Sequence, residues 1–297
     1  MNELIVCKDL RFGYGKKEVL HGLNFTVNEG GIVGLLGRNG AGKSTTINIL
    51  MGFLEQTSGE CSILGHPSYS IPSYVRRDIG LLHEGFIQYD FMSIEGIEKY
   101  YASFYPQWNR DLYYDLVSRI KVPYSRKITR LSCGQRSQIT LGLILAQSPK
   151  LMILDDFSMG LDVGYRRLFL EFLRDYVDTY KTTVLLTSHV IQELDSFLDK
   201  IVFIKEGDII YDGTKESFLS SFYAYTIPIE ESKKILTCKA IENIEYGNKY
   251  AHIFGYRSKE AMQTCLREFG VDEAVVRALE PNVLHLEDAF VGLTGRY

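Results

Sequence analysis

Gly37-Arg38-Asn39-Gly40-Ala41-Gly42-Lys43-Ser44-Thr45 fits the pattern G-x-x-x-x-G-K-[ST], and its flanks decide what the pattern means. Ahead of it, the apolar run Ile32-Val33-Gly34-Leu35-Leu36 predicts a buried strand. Behind it, Thr46-Ile47-Asn48-Ile49-Leu50-Met51 predicts the first turns of a helix stopped at Gly52. Strand, glycine loop and helix in that order make a phosphate cradle. The glycines let successive N–H groups curl around a β-phosphate, and the helix N-terminus adds partial positive charge. Lys43 is expected to reach the β- and γ-phosphates and the Ser44 hydroxyl to ligate Mg²⁺. Gly37, Asn39, Gly40, Gly42 and Thr45 complete the expected cradle. A glycine-rich turn that merely contains a lysine would lack these flanks. The motif predicts a nucleoside-triphosphate site.

Composition sets the outer bounds. At 297 residues the chain has room for one large domain and a smaller one. Apolar residues make up 45%, ample for a core, and a net charge of −4 gives no electrostatic reason to expect nucleic acid as a partner. Cys7, Cys61, Cys133, Cys238 and Cys265 are scattered with no C-x-x-C pair, which argues for a reducing compartment and against a zinc site or disulfide framework. No signal peptide precedes the first strand, and no apolar run approaches the ~18 residues of a membrane span. The expectation is a cytosolic protein, or one held at a membrane only by partners.

Taken in order, Leu4–Cys7 reads as a short strand, and Leu23-Asn24-Phe25-Thr26-Val27 alternates like a half-buried one. Between them Tyr14 lies in a glycine-flanked loop, where adenine stacking competes with plain core packing. From Gly85 to Gln147 the pattern turns helical: Ile94–Tyr105 and Leu112–Ile120 carry apolar residues at helical spacing around Pro106-Gln107-Trp108-Asn109. Leu131-Ser132-Cys133-Gly134-Gln135 then opens a helix, with Ser132 and Gln135 at capping-box spacing. Gly134 just inside that helix suggests bare N–H groups, an anion site without an obvious anion. Leu151-Met152-Ile153-Leu154-Asp155-Asp156 has the form of a buried parallel strand ending at an active site. Asp155 is expected to hold Mg²⁺, directly or through water, and Asp156 to orient or deprotonate an attacking water. After the Ser158–Asp162 loop and a helix from about Val163, the strand Thr183–Ser188 ends at His189, a candidate γ-phosphate contact.

The phosphate loop, Leu131–Gln135, the Asp155 strand, the Ser158–Asp162 loop and His189, in this order and at about this spacing, resemble the ATPase subunit of an ABC transporter over residues 1 to 225. The resemblance implies an α/β P-loop NTPase core with a helical signature subdomain at about 85–150. It also implies bound ATP and Mg²⁺, and a second ATPase subunit, expected to be an identical copy, whose γ-phosphate meets Ser132, Gly134 and Gln135. Three residues depart from the family pattern. Cys133 replaces a glycine of the signature, at a point that need not take φ > 0, with Gly134 retained for close approach. Glu84 stands where a Mg²⁺-contacting glutamine is usual, making it a candidate metal and catalytic residue, and Ser93 supports that alignment. Asp156 stands where the catalytic glutamate is usual; it is shorter by about 1.5 Å, and misplacement of that size can cost ~10²-fold.

Glu84, the non-glycine signature position and Phe104-Tyr105-Pro106-Gln107-Trp108-Asn109 are similar to one exporter group. These are ATPases associated with GntR-type regulators, including bacteriocin-type and phenol-soluble-modulin peptide exporters. The end of the chain, Leu286 to Arg296, is similar to that of type-2 ABC exporter ATPases, whose membrane subunit is separate. That subunit is expected to dock near Phe86–Met92, at the cytoplasmic face of the membrane. Residues 226–297 read as a small α/β accessory domain, with a helix over Ser258–Phe269. Two classes of function follow: an ATPase powering export of peptides or amphipathic compounds, or a weakly hydrolysing, ATP-gated subunit paired with a more active sister.

Overall fold

The computed structural model describes residues 2–83, 89–158, 161–188 and 190–295. The chain forms two compact units, Met1–Val190 with Phe197–Asp212, and Ile191–Ser196 with Gly213–Tyr297. In the first unit β1 (Glu3–Tyr14) and β2 (Lys17–Asn28) pair antiparallel. Register shifts between Cys7 and Leu10 and between Phe12 and Gly13 absorb extra residues, so β1 runs on through stretches that read separately in the sequence. Next come β3 (Gly31–Gly37), α1 (Lys43–Leu50), β4 (Ser58–Ile63), the two-residue β5 (His66–Pro67), α2 (Ser73–Arg76) and β6 (Ile79–Leu82). The first sheet has the order β2-β1-β4-β5.

The helical part follows: α3 (Ile94–Ala102), α4 (Arg110–Ser118) and α5 (Cys133–Ala146). Ile94, Ile97, Tyr113, Val117, Ile128, Leu131 and Ile139 form its core. The connector at Pro106–Asn109 is a joint of that core. Trp108 Nε1 and Arg110 Nε donate to the buried Glu98 carboxylate at 2.9 and 3.0 Å, and Asn109 caps α4. A buried carboxylate is tolerable only with such partners.

β7 (Leu151–Leu154), α6 (Val163–Tyr180), β8 (Thr183–Leu186), β9 (Lys200–Lys205) and β10 (Asp208–Thr214) complete a six-stranded sheet, order β10-β9-β3-β8-β7-β6. Strands β9, β3, β8, β7 and β6 are mutually parallel. All four residues of β7 and of β8 are buried. Strands covered on both faces read as unbroken apolar runs. The ladder continues one residue past these strands: Asp155 N–H donates to Leu82 O at 2.8 Å and Thr187 N–H to Leu154 O at 2.9 Å. With neighbouring strands ~4.8 Å apart, the carboxyl ends of β3, β8 and β7 converge.

The second unit holds α7 (Lys215–Ser221), β11 (Tyr223–Pro228), α8 (Ile229–Ser232), β12 (Asn243–Tyr246), β13 (Tyr250–Gly255), α9 (Lys259–Glu268), α10 (Glu273–Arg277), β14 (Pro281–Asn282) and α11 (Leu286–Thr294). Its antiparallel sheet has the order β12-β13-β11-β14. The second compact unit resumes at Gly213. β11 starts at Tyr223 inside this sheet, and α7 stacks Phe218 on Phe222 at 5.2 Å. Ser258 occupies the N-cap position of α9, but its hydroxyl donates to Glu260 Oε2 at 3.1 Å instead of capping the helix. In α11, a Cβ on Gly292 would come within 2.3 Å of the Phe254 ring, so only glycine allows this approach.

Four of the five scattered cysteines meet in space. Cys7 and Cys61 face each other across β1 and β4 with sulfurs 3.7 Å apart, and Cys238 lies 2.8 Å from Cys265; all are free thiols. Among the described residues, no helix is long and apolar enough to cross a membrane.

Candidate nucleotide site

A cavity of about 610 Å³ opens at the carboxyl ends of β3, β8 and β7. Its floor is the start of α1. The starts of α3, α4, α5 and α6 are capped by the side chains of Ser93, Asn109, Ser132 and Asp162, whereas Gly42 leaves α1 with no side-chain cap. An uncapped helix start presents its first N–H groups and its dipole to an anion. Gly40 (φ +79°) and Gly42 (φ +111°) take the left-handed conformations that shape the loop.

Lys43 Nζ donates to the carbonyls of Gly37 at 2.7 Å and Arg38 at 3.0 Å, which arches the side chain back along its own loop. Burial lowers its pKa, and the charges of Asp156 and Asp155 partly oppose that. Asp155 is almost fully buried, at 1% exposure. Its Oδ1 accepts from Thr187 Oγ1 at 2.7 Å and from Ser44 Oγ at 3.3 Å. Its Oδ2 is buried and has no hydrogen-bond partner among the described residues. Buried carboxylate oxygens rarely go unsatisfied, and a hydroxyl beside a carboxylate is the oxygen donor set that suits Mg²⁺. Ser44 and Asp155 therefore fit that ion.

Asp156 also lines the cavity, at φ +45°, a left-handed conformation that is uncommon for a residue with a side chain. Its N–H donates to Thr187 Oγ1 at 2.8 Å, and Ser158 Oγ donates to its Oδ1 at 3.4 Å. At the far wall Tyr14 is half exposed, with Phe12 edge-on at 4.9 Å. A half-exposed ring in that setting can take a flat partner.

Of the residues expected at the site, Tyr14, Asn39, Gly40, Gly42, Lys43, Ser44, Thr45, Asp155 and Asp156 line this cavity. Gly37 contributes its carbonyl to Lys43. Glu84 and His189, with Phe86 and Ile87, lie outside the described residues. Ser132, Gly134 and Gln135 do not line the cavity. They form a complete capping box in which Ser132 Oγ takes the Gln135 N–H and Gln135 Oε1 takes the Ser132 N–H. The helix start is thus less bare than Gly134 suggested, although the Ser132 side is exposed. A Cβ on Gly134 would meet the Tyr165 ring at 2.3 Å, so this glycine serves the packing of α5 against α6 within the chain.

Sequence reading missed Lys17, Val19 and Thr187 as cavity residues. Thr187 carried one signal, a hydroxyl at the end of an apolar strand. Its role depends on β8 lying between β3 and β7, which no local pattern reveals.

A family model described as ABC transporter matches residues 20–158. The linearmycin resistance ATP-binding protein LnrL of Bacillus subtilis (strain 168) is 28% identical, over 75% of this chain and 73% of its own. Nod factor export ATP-binding protein I of Rhizobium meliloti (strain 1021) is 31% identical, over 95% of this chain and 85% of its own. A solved ATP binding subunit of an ABC transporter superposes with a TM-score of 0.65 at 26% identity, over 73% of this chain and 92% of that one.

Proposed function

The chain belongs to the ATP-binding subunits of ABC transporters, and we propose that it hydrolyses ATP to drive a separate membrane subunit through closure of an ATPase dimer. One observation carries the chemistry: the open helix start, Lys43 and Asp155, whose Oδ2 has no hydrogen-bond partner among the described residues, share one cavity. Lys43 faces the β- and γ-phosphates as a fixed cation. Ser44 and Asp155 hold Mg²⁺, which when bound neutralises charge on the β- and γ-phosphate oxygens. Asp156 orients or deprotonates the water. Steady-state phosphate release from MgATP by the full chain tests this, and absence of turnover with the membrane subunit present would defeat it.

The exposed signature helix start, away from this chain's cavity, supports a site completed by a second copy. MgATP is then expected to convert monomer into dimer. Ser132→Arg is expected to block that step while ATP still binds, because a bulky side chain occupies the approach to the helix start. Light scattering that finds an ATP-stable Ser132→Arg dimer would count against the two-copy site.

Two relatives carry resistance and export in their names, which supports an exporter acting on hydrophobic or amphipathic compounds, peptides included, from the cytoplasmic face. For the membrane subunit the candidate surface includes Phe91, 60% exposed, beside Tyr89 at 6.3 Å. Exposed aromatic clusters commonly mark interfaces. Phe91→Asp is expected to leave basal ATPase intact and to lose the partner; normal co-purification of the variant with that subunit would refute the assignment.

A further inference from the structure

We propose that Thr187 is the positioning residue that sets both carboxylates of the site, a proposal that rests on the ATPase reading above. A single hydroxyl serves two roles. As donor it holds Asp155 Oδ1 at 2.7 Å, and as acceptor it takes the Asp156 backbone N–H at 2.8 Å. The first bond decides how the Asp155 carboxylate is shared. Oδ1 is committed to protein hydroxyls, and Oδ2, buried and without a hydrogen bond among the described residues, is left for the cation. The second bond acts on the backbone. Asp156 is left-handed at φ +45°, a conformation that persists in a side-chain-bearing residue only where the surroundings over-determine it. The Thr187 hydroxyl is part of that determination, and it therefore aims the Asp156 side chain.

Strand order makes this possible. β8 lies between β3 and β7, so the residue following β8 can reach the phosphate-loop side and the carboxylate side together. Thr187 itself is almost fully buried, at 1% exposure, and its hydroxyl is held between these two protein partners. Valine would fill the same space and supply neither bond. Serine would supply both.

The test uses the full chain with its membrane subunit and three forms at position 187. Thr187→Val is expected to lower kcat on the order of 10²-fold, with the KM for ATP little changed because Lys43 and its loop are untouched. Thr187→Ser is expected to restore most of the lost rate. A second readout is independent of turnover: equilibrium binding of ATP with Mg²⁺ and with EDTA. The parent and Thr187→Ser are expected to bind ATP more tightly with Mg²⁺, and Thr187→Val to lose most of that gain. A packing defect alone would lower the melting temperature without separating kcat from KM. Parental kcat and a parental Mg²⁺ gain in Thr187→Val would overturn the proposal. So would a folded Thr187→Ser that loses both, a result available even where Thr187→Val does not fold. If the parent shows no hydrolysis, the ATPase reading fails, while the Mg²⁺ gain still decides for or against Thr187.

Discussion

Lys43→Ala is expected to abolish measurable MgATP binding, and phosphate release with it. The lysine is the cation that the loop itself fixes in place, held on the Gly37 and Arg38 carbonyls beneath the uncapped start of α1. Alanine removes the charge that would face the β- and γ-phosphates and leaves two loop carbonyls in its place. Phosphate would then meet partial negative charge where it should meet an ammonium. Equilibrium titration checks this, and unchanged affinity would sink the phosphate-loop reading. The pH dependence has a definite sign. Burial lowers the Lys43 pKa, so as pH rises the charge is lost earlier than from a solvated lysine. Affinity should weaken on the alkaline side accordingly.

The second large effect lies at Asp156. Asp156→Asn keeps the size and removes the basicity, so turnover should fall almost to nothing while the ATP-bound dimer is stabilised. Asp156→Glu extends the carboxylate by about 1.5 Å, and recovered positioning could raise the rate by up to ~10²-fold. The surroundings bear on this second outcome. Asp156 is fixed through its N–H by Thr187, and Ser158 approaches its Oδ1, so its short side chain starts from a determined backbone. Steady-state phosphate release decides between the cases. A brisk parent with a slower Asp156→Glu means the pocket is built around aspartate. A parent as inert as Asp156→Asn, both still dimerising on ATP, would favour the ATP-gated subunit over the enzyme.

The parts of the fold that local physics determines were readable in the residues. β3, β7 and β8 are covered on both faces and announce themselves as apolar runs. Ser132 with Gln135 specifies a capping box within one turn. Non-local facts were less accessible. Thr187 owes its place to strand order, and the two cysteine pairs arise from partners 54 and 27 residues apart. The continuity of β1 is hidden by bulges. The packing of Gly134 against Tyr165 was equally hidden, because that neighbour in space lies on another helix.

Ile191–Ser196 belongs to the second unit, although β9 and β10 return the chain to the first. Asp195 shows what that means for a growing chain. Its backbone carbonyl accepts from Lys215 Nζ, and its carboxylate meets the Leu286 N–H at the start of α11, 91 residues later, at 3.4 Å. At ~5–20 residues per second of synthesis, that carboxylate is made several seconds before the helix it serves. The second unit therefore closes last, around a segment laid down in the middle of the first. A fragment begun at Gly213 would carry α11 without the Asp195 carboxylate that meets its Leu286 N–H, and Lys215 without the Asp195 carbonyl. The two units cannot be separated by a single cut: one strip of chain, made early, is needed by the part made last.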